Sequence, residues 1–397
     1  MLATNANHAV LTRRTLFVGT GTLLVASAAR ASARTADWGA VDAAAVALID
    51  KRIAPGLSLT ITRNGRVVHE KGYGFANLET MTPMTPDCVF RIGSITKQFT
   101  GAAFALLQQD GKLSVDDRLA KYLPEVPRAA EITLRQMLKH TSGLGNYTKK
   151  DPRTAFLRLA RVDYDSGAIL EEMLEHTIPL YAHEPGTAYD YSNTAYVLLG
   201  LVIDQVAGEP WPRFYKRRLF DAAGLASTTV DDGADVVAHR VSGYTGHPDD
   251  PAKWDNAPFI SMTYPGAAGN IRSTSGDLCK WHTALLAGHV VSPDALKLMT
   301  TPGLLKDGSI PTQPGTAGPD PVRYGFGLAM DSFEGHASIQ HSGGIFGFTS
   351  HIRSFPAEGV TVVMLANTDG GGRSDDPASS KALAGVRNAA AQAALSG

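Results

Sequence analysis

Strand signals at both ends of the chain enclose a long helical middle, and this arrangement constrains the fold more than any other feature. Leu57–Thr62 and Val67–Tyr73 read as strands around Asn64-Gly65, a dipeptide suited to a two-residue hairpin. Four more short runs lie near the C-terminus: Tyr324–Met330, Ala337–His341, Phe348–Phe355 and Val360–Ala366, separated by turn residues. Hairpin connections of this kind join antiparallel neighbours. Between the two sets, from about Asp116 to Trp211, the spacing is mainly helical. Leu134–His140 and Ala195–Val206 are its plainest helices, the second stopped by Gly208. Ser275 opens another helix, carrying Leu278, Trp281, Leu285 and Leu286, and Lys381–Leu395 is an alanine-rich terminal helix. Asp231–Gly266 reads as irregular, and the turn-rich stretch Pro302–Pro321 as a loop or an ordered cleft rim. The expected fold class is α+β: an antiparallel β-sheet assembled from both termini and flanked by helices, with an all-α lobe inserted at about residues 112–270.

The 397 residues suffice for one large domain or two lobes. A net charge of -1 with no long basic or acidic run argues against nucleic acid as a partner. Residues 1–33 read as a signal peptide: Arg13-Arg14 precede the apolar stretch Leu16–Ala29, and Ala31-Ser32-Ala33 supplies a cleavage pattern. The paired arginines suggest the twin-arginine route. Residues 34–397 are then the working domain, exported to a periplasm or secreted, and no other segment is apolar for long enough to span a membrane. Cys88 and Cys279 do not form a disulfide framework and read as two small buried residues. The twelve histidines show no zinc spacing; His282 and His289 read as surface residues, and neither a metal nor a cofactor is expected.

Three motifs carry chemistry. Ser94-Ile95-Thr96-Lys97 follows the extended Phe90-Arg91-Ile92-Gly93 and precedes Phe99, Ala102, Ala103, Leu106 and Leu107 at helical spacing. Ser94 thus sits at a helix N-terminus, where the dipole favours negative charge, with the Lys97 amine one turn on and on the same face. Tyr191-Ser192-Asn193 lies on a loop at a helix start, after Pro185-Gly186-Thr187. A tyrosine beside a lysine ionises more easily and can exchange the serine proton with a leaving group. Asn193 can orient the lysine and grip a substrate carbonyl. His341-Ser342-Gly343-Gly344 ends a strand; its glycines admit close approach of a substrate, and the Gly344 and Ser94 N–H groups can form an oxyanion hole. His341 can bind a substrate carboxylate or assist proton transfer.

The order of these motifs, with His140-Thr141-Ser142-Gly143-Leu144 and Tyr324-Gly325-Phe326-Gly327-Leu328, resembles the serine β-lactamase-like superfamily, specifically class C β-lactamases and their DD-peptidase and esterase relatives. The resemblance covers roughly Ile53 to Leu395 and implies a mixed sandwich with an all-α lobe and the site between them. It implies Ser94 as the acylated nucleophile, Lys97 and Tyr191 as the acid–base pair, and Asn193, His341, Ser342, Gly343 and Gly344 as substrate-binding. Where class C enzymes have Lys-Thr-Gly, this chain has His341-Ser342-Gly343, closer to some DD-peptidases, D-amino-acid peptidases and esterases. The expected activity is therefore an exported serine hydrolase of D-amino-acid peptides or esters. The alternatives are a β-lactamase, or a non-catalytic penicillin-binding or sensor protein on the same fold. The partner is a small-molecule or peptide substrate, and the oligomeric state is left open.

Overall fold

A computed structural model describes residues 36–149, 153–247, 250, 253–313, 320–369 and 377–397. The expected leader, residues 1–33, lies outside the described residues. Among the described residues the main sheet has seven strands: β1 (Gly56–Arg63), β2 (Arg66–Asn77), β3 (Thr82–Pro83), β4 (Ala329–Phe333), β5 (His336–Ile345), β6 (Phe348–Phe355) and β7 (Val360–Ala366). Their order is β3-β2-β1-β7-β6-β5-β4, and every neighbouring pair is antiparallel. Each end of the chain supplies one hairpin-connected run, and β1 and β7 join the two. Asn64 and Gly65 both take positive φ (50° and 72°), the geometry the β1–β2 turn requires.

Alternation along the strands distributes the core between two layers. Leu57, Leu59 and Ile61 of β1 and Val362, Met364 and Ala366 of β7 pack under α1 (Trp38–Asp50) and the terminal helix, here labelled α5 (Pro377–Ser396). Val363 and Leu365 face the other way, into the larger core with α2 (Thr96–Gln109) and α4 (Ser275–Leu286). Ser58 and Thr60 point to that side as well, and both hydrogen-bond the buried Ser275 hydroxyl (2.9 and 2.7 Å). Phe99 of α2 stacks on Trp281 of α4 at 4.2 Å between centroids. The helix α3 (Asn193–Ala207) starts at an N-cap, Ser192 Oγ accepting from Ala195 N–H, and stops at Gly208 in the left-handed conformation.

Several expectations need correction. Tyr324–Leu328 is a buried loop rather than a strand; β4 begins at Ala329. Its Tyr-Gly-Phe-Gly-Leu alternation serves a close approach: a Cβ on Gly327 would lie 2.3 Å from the Lys97 carbonyl oxygen, and one on Gly325 would lie 1.9 Å from that of Met299. The irregular stretch Asp231–Gly266 contains a small hairpin, Tyr244–Gly246 with Trp254–Asn256. His282 is fully buried, held between Ser354 Oγ (2.7 Å) and Gln98 Oε1 (2.9 Å), whereas His289 is exposed as expected. Cys88 and Cys279 are buried free thiols. No helix among the described residues is long and apolar enough to cross a membrane.

Candidate active site

Ser94 lies in a single 3-10 turn, Gly93–Ile95, that feeds directly into α2. Gly93 has φ +50° and its Cα faces Gly344: an added Cβ would lie 2.8 Å from the Gly344 oxygen. The turn is thus wedged against the end of β5, and Ser350 Oγ fixes it from behind by donating to the Ile92 carbonyl (2.8 Å). β4 pairs with β5 only over Ala337–Gln340 and the flanking His336, so the edge from His341 to Ile345 is left open toward this turn.

Lys97 is completely buried, one helical turn after Ser94. Its amine lies 2.7 Å from Asn193 Oδ1, 2.8 Å from the Ala268 carbonyl oxygen and 3.2 Å from Ser94 Oγ. Burial depresses the amine well below the ordinary lysine range. A neutral amine has two N–H groups and one lone pair. Two of the three partners are acceptor-only oxygens, so they take the N–H groups and leave the lone pair for the Ser94 hydroxyl. The orientation of Asn193 is fixed in turn: its Nδ2 donates to Asn146 Oδ1 (3.3 Å), and Asn146 Nδ2 donates to the Tyr191 carbonyl (3.1 Å).

Tyr191 stands over Lys97, with Nζ 4.9 Å from the ring centroid. Burial pushes its hydroxyl up, and a hydrogen bond with Ser94 pulls it back only in part. The expectation that the lysine charge would ease its ionisation meets an opposing effect: burial raises the Tyr191 hydroxyl and lowers the Lys97 amine. His140 packs against Tyr191 at 4.2 Å between ring centroids. Its Nδ1 accepts the Ser192 N–H (3.1 Å), which requires the neutral Nε2–H tautomer and ties the ring to the Tyr191 loop.

His341 is placed one layer behind, its ring centroid 6.4 Å from that of Tyr191. It is only 6% exposed. Nδ1–H donates to the Ser342 carbonyl (2.6 Å), and Nε2 accepts from the Tyr324 hydroxyl (2.8 Å). Burial and the nearby Lys97 lower its pKa to about 4. With both nitrogens engaged and the ring neutral, His341 has no charge to offer a carboxylate, contrary to the sequence expectation. Gly343 packs where a Cβ would be 2.0 Å from the Ile92 oxygen, Ser342 is exposed, and Gly344 has open space around it.

The cleft is a cavity of about 600 Å³ whose walls include Ser94, Asn193, Gly344, Tyr147, Phe156, Ile260, Phe346 and Asp369. Ser94, Asn193 and Gly344 line it, whereas Lys97 lies behind Ser94 with Tyr191 over it, and Lys97, Tyr191, His341 and Gly343 are not part of its walls. Sequence reasoning missed Ala268, Asn146, Tyr324 and the support given by His140. For Ala268, the run of four small residues Gly266-Ala267-Ala268-Gly269, all buried, was the available signal. Among the described residues no cluster of side chains can hold a metal ion.

The Beta-lactamase family model matches residues 41–386. The chain is 28% identical over 312 residues to "Putative penicillin-binding protein PbpX" of Bacillus subtilis (strain 168), covering 77% of this chain and 68% of that one. It spans 60–68% of the length of such curated relatives. Among solved structures, a D-stereospecific amidohydrolase from Streptomyces sp. is 29% identical with a TM-score of 0.69, covering 85% of this chain and 96% of that chain. A D-amino acid amidase from Ochrobactrum anthropi SV3, complexed with D-phenylalanine, is 25% identical with a TM-score of 0.74, covering 89% and 98%.

Proposed function

The chain belongs to the Beta-lactamase family, and from that premise we propose that it is an exported serine hydrolase working through an acyl-enzyme at Ser94. The observation that carries this reading is the Lys97 amine, buried, capped by two acceptor-only oxygens and 3.2 Å from Ser94 Oγ. Ser94 Oγ attacks the carbonyl carbon as its proton passes to the Lys97 lone pair. The oxyanion is met by the N–H groups of Ser94 and Gly344. Collapse breaks the bond to the leaving group, which takes the Tyr191 hydroxyl proton while Tyr191 is reprotonated from Lys97. Water then releases the acyl group by the reverse relay. Asn193 holds Lys97 and contacts the substrate amide.

The substrate class follows from the walls. Among the described residues they are largely apolar and aromatic, with the carboxylate of Asp369 and no basic side chain. Such a cleft favours neutral or cationic acyl groups over the anionic β-lactams. Together with the names of the two solved relatives, this supports amides, peptides or esters of D-amino acids as substrates.

The test is Ser94→Ala, assayed with a D-phenylalanine amide, a short-chain ester and a fluorescent penicillin. Loss of turnover and of covalent labelling, with a nearly unchanged melt, is expected, because Ser94 lies within the 3-10 turn and no side-chain capping bond is made there or at the start of α2. Turnover by a folded Ser94→Ala protein excludes Ser94 as nucleophile. Nitrocefin hydrolysis faster than amide and ester hydrolysis excludes the substrate class.

A further inference from the structure

On the far side of the sheet from the cleft, β6, β7 and α5 line a void of about 10 Å³, bounded by His351, Arg353, Val362, Arg387 and Ala391 and by the exposed Asn388. That is room for one water-sized occupant. The register explains how it forms. His351 and Arg353 lie opposite Met364 and Val362, so they share the face on which α5 packs. Polar side chains thus interrupt an apolar layer, and α5 adds Arg387 to them.

The donors in this void are not satisfied by the protein. His351 is 4% exposed, and its Nδ1 has no hydrogen-bond partner. Arg353 Nε is also buried without a partner. Among the described residues, the carboxylate that pairs with this group is Asp331, held by a terminal nitrogen of Arg353 (2.8 Å). Arg387 is partly buried, and the charge that bears on it is Arg353, of like sign. Asp331 thus pairs with Arg353 and not with Arg387, and an arginine cannot shed its charge when buried. A water molecule in the void fills space and accepts one or two hydrogen bonds, but leaves this charge uncompensated.

We propose that the void binds one small monovalent anion of the halide class, accepting from Arg353 Nε–H and His351 and neutralising Arg387. The site is independent of the acyl-transfer reading. His351 lies opposite Ser342 of β5 across the strands.

Thermal melts of the full chain in sodium chloride and in sodium gluconate, at matched ionic strength, test this. Chloride and bromide are expected to raise Tm saturably by about 2 °C or more, as for any ligand that binds only the folded state. Arg387→Met is expected to lose that dependence. Crystals grown in bromide are expected to show an anomalous peak between Arg353 and Arg387, a readout that does not depend on the variant folding. Equal Tm in both salts, a full chloride shift in Arg387→Met, or bromide crystals without the peak would each overturn the proposal, the last leaving water as the occupant.

Discussion

Lys97 draws its chemical character from what surrounds it rather than from its side-chain type. Its amine has no carboxylate partner; a carboxamide oxygen and a carbonyl oxygen hold it instead, so burial favours the neutral form. The base is competent only above the depressed pKa, because the lone pair must be free. On the proposed mechanism, kcat/KM for a neutral ester should rise with pH along one acid limb and level off well below the ordinary lysine range. Lys97→Arg keeps a cation and removes the lone pair, and should abolish activity at every pH. An arginine variant with the parental pH profile would remove Lys97 from the proton path. Tyr191→Phe should slow acylation by about 10²–10⁴, with little added loss when combined with Lys97→Ala, because both handle one proton. Independent, multiplying losses in the double variant would mean that the two residues serve different steps. His341 yields the opposite kind of expectation. With its pKa lowered to about 4, it stays neutral from about pH 5.5 to 8.5, a window that brackets the free imidazole value. KM for an acidic and for a neutral substrate should therefore show no difference in pH dependence attributable to an imidazole. A loss of affinity for the acidic substrate alone, centred near the free value, would restore the carboxylate role.

The elements meet at the site through glycine contacts, and these show what was legible in the sequence. Ser94 and Lys97 could be placed on one face of a helix start because helical periodicity is local. Asn193 at the head of α3 was legible for the same reason. Local pattern does not report which backbone another backbone touches. The alternation Tyr324-Gly325-Phe326-Gly327-Leu328 satisfies a strand pattern, yet it buries Phe326 and Leu328 in a loop set on α2. His140 closes a short helix in sequence, and only tertiary packing sets it against Tyr191. His341 was legible as a residue at the end of a strand; its burial and its Tyr324 partner were not, so its charge was misjudged. The two glycines of β5 make the contrast testable. A Cβ at 343 would stand 2.0 Å from the Ile92 oxygen, while one at 344 meets nothing within 4 Å. Gly343→Ala should displace the Ser94 turn, cost about 1–3 kcal/mol and remove most activity. Gly344→Ala should leave stability within about 0.5 kcal/mol, as at an open site. Comparable stability losses in the two variants, read from denaturant melts, would contradict the wedge between β5 and the Ser94 turn.

Across the whole molecule, buried histidines act together. His140, His282, His341 and His351 are all held neutral by burial, His282 down to about 3 and His341 to about 4. In the unfolded chain each titrates near 6.5. Between that value and the lowered one the unfolded state binds more protons than the folded state, so stability falls as pH falls. Asp117 and Asp231 are depressed as folded carboxylates, which also makes stability fall with falling pH, but lower, below about 4. The histidines therefore dominate between about pH 6.5 and 4, each contributing up to about 1.4 kcal/mol per pH unit. For His341, the interval from 6.5 to about 4 corresponds to roughly 3 kcal/mol when fully traversed. Stability should thus fall steeply on acidification between about pH 6.5 and 4, well before the carboxylates titrate, while the depressed amines of Lys97 and Lys139 add a slope of the same sign above neutrality. Urea melts at a series of pH values measure that slope directly. His282→Gln keeps an amide that can bond both Ser354 and Gln98 but cannot bind a proton. Its melts should lie below the parental ones at neutral pH, where repacking costs stability, and converge on them as the pH falls, because the variant loses one proton's worth of slope. Parallel curves for the two proteins from about pH 6.5 to 4 would mean that His282 is already protonated in the fold, and that the acid sensitivity arises elsewhere.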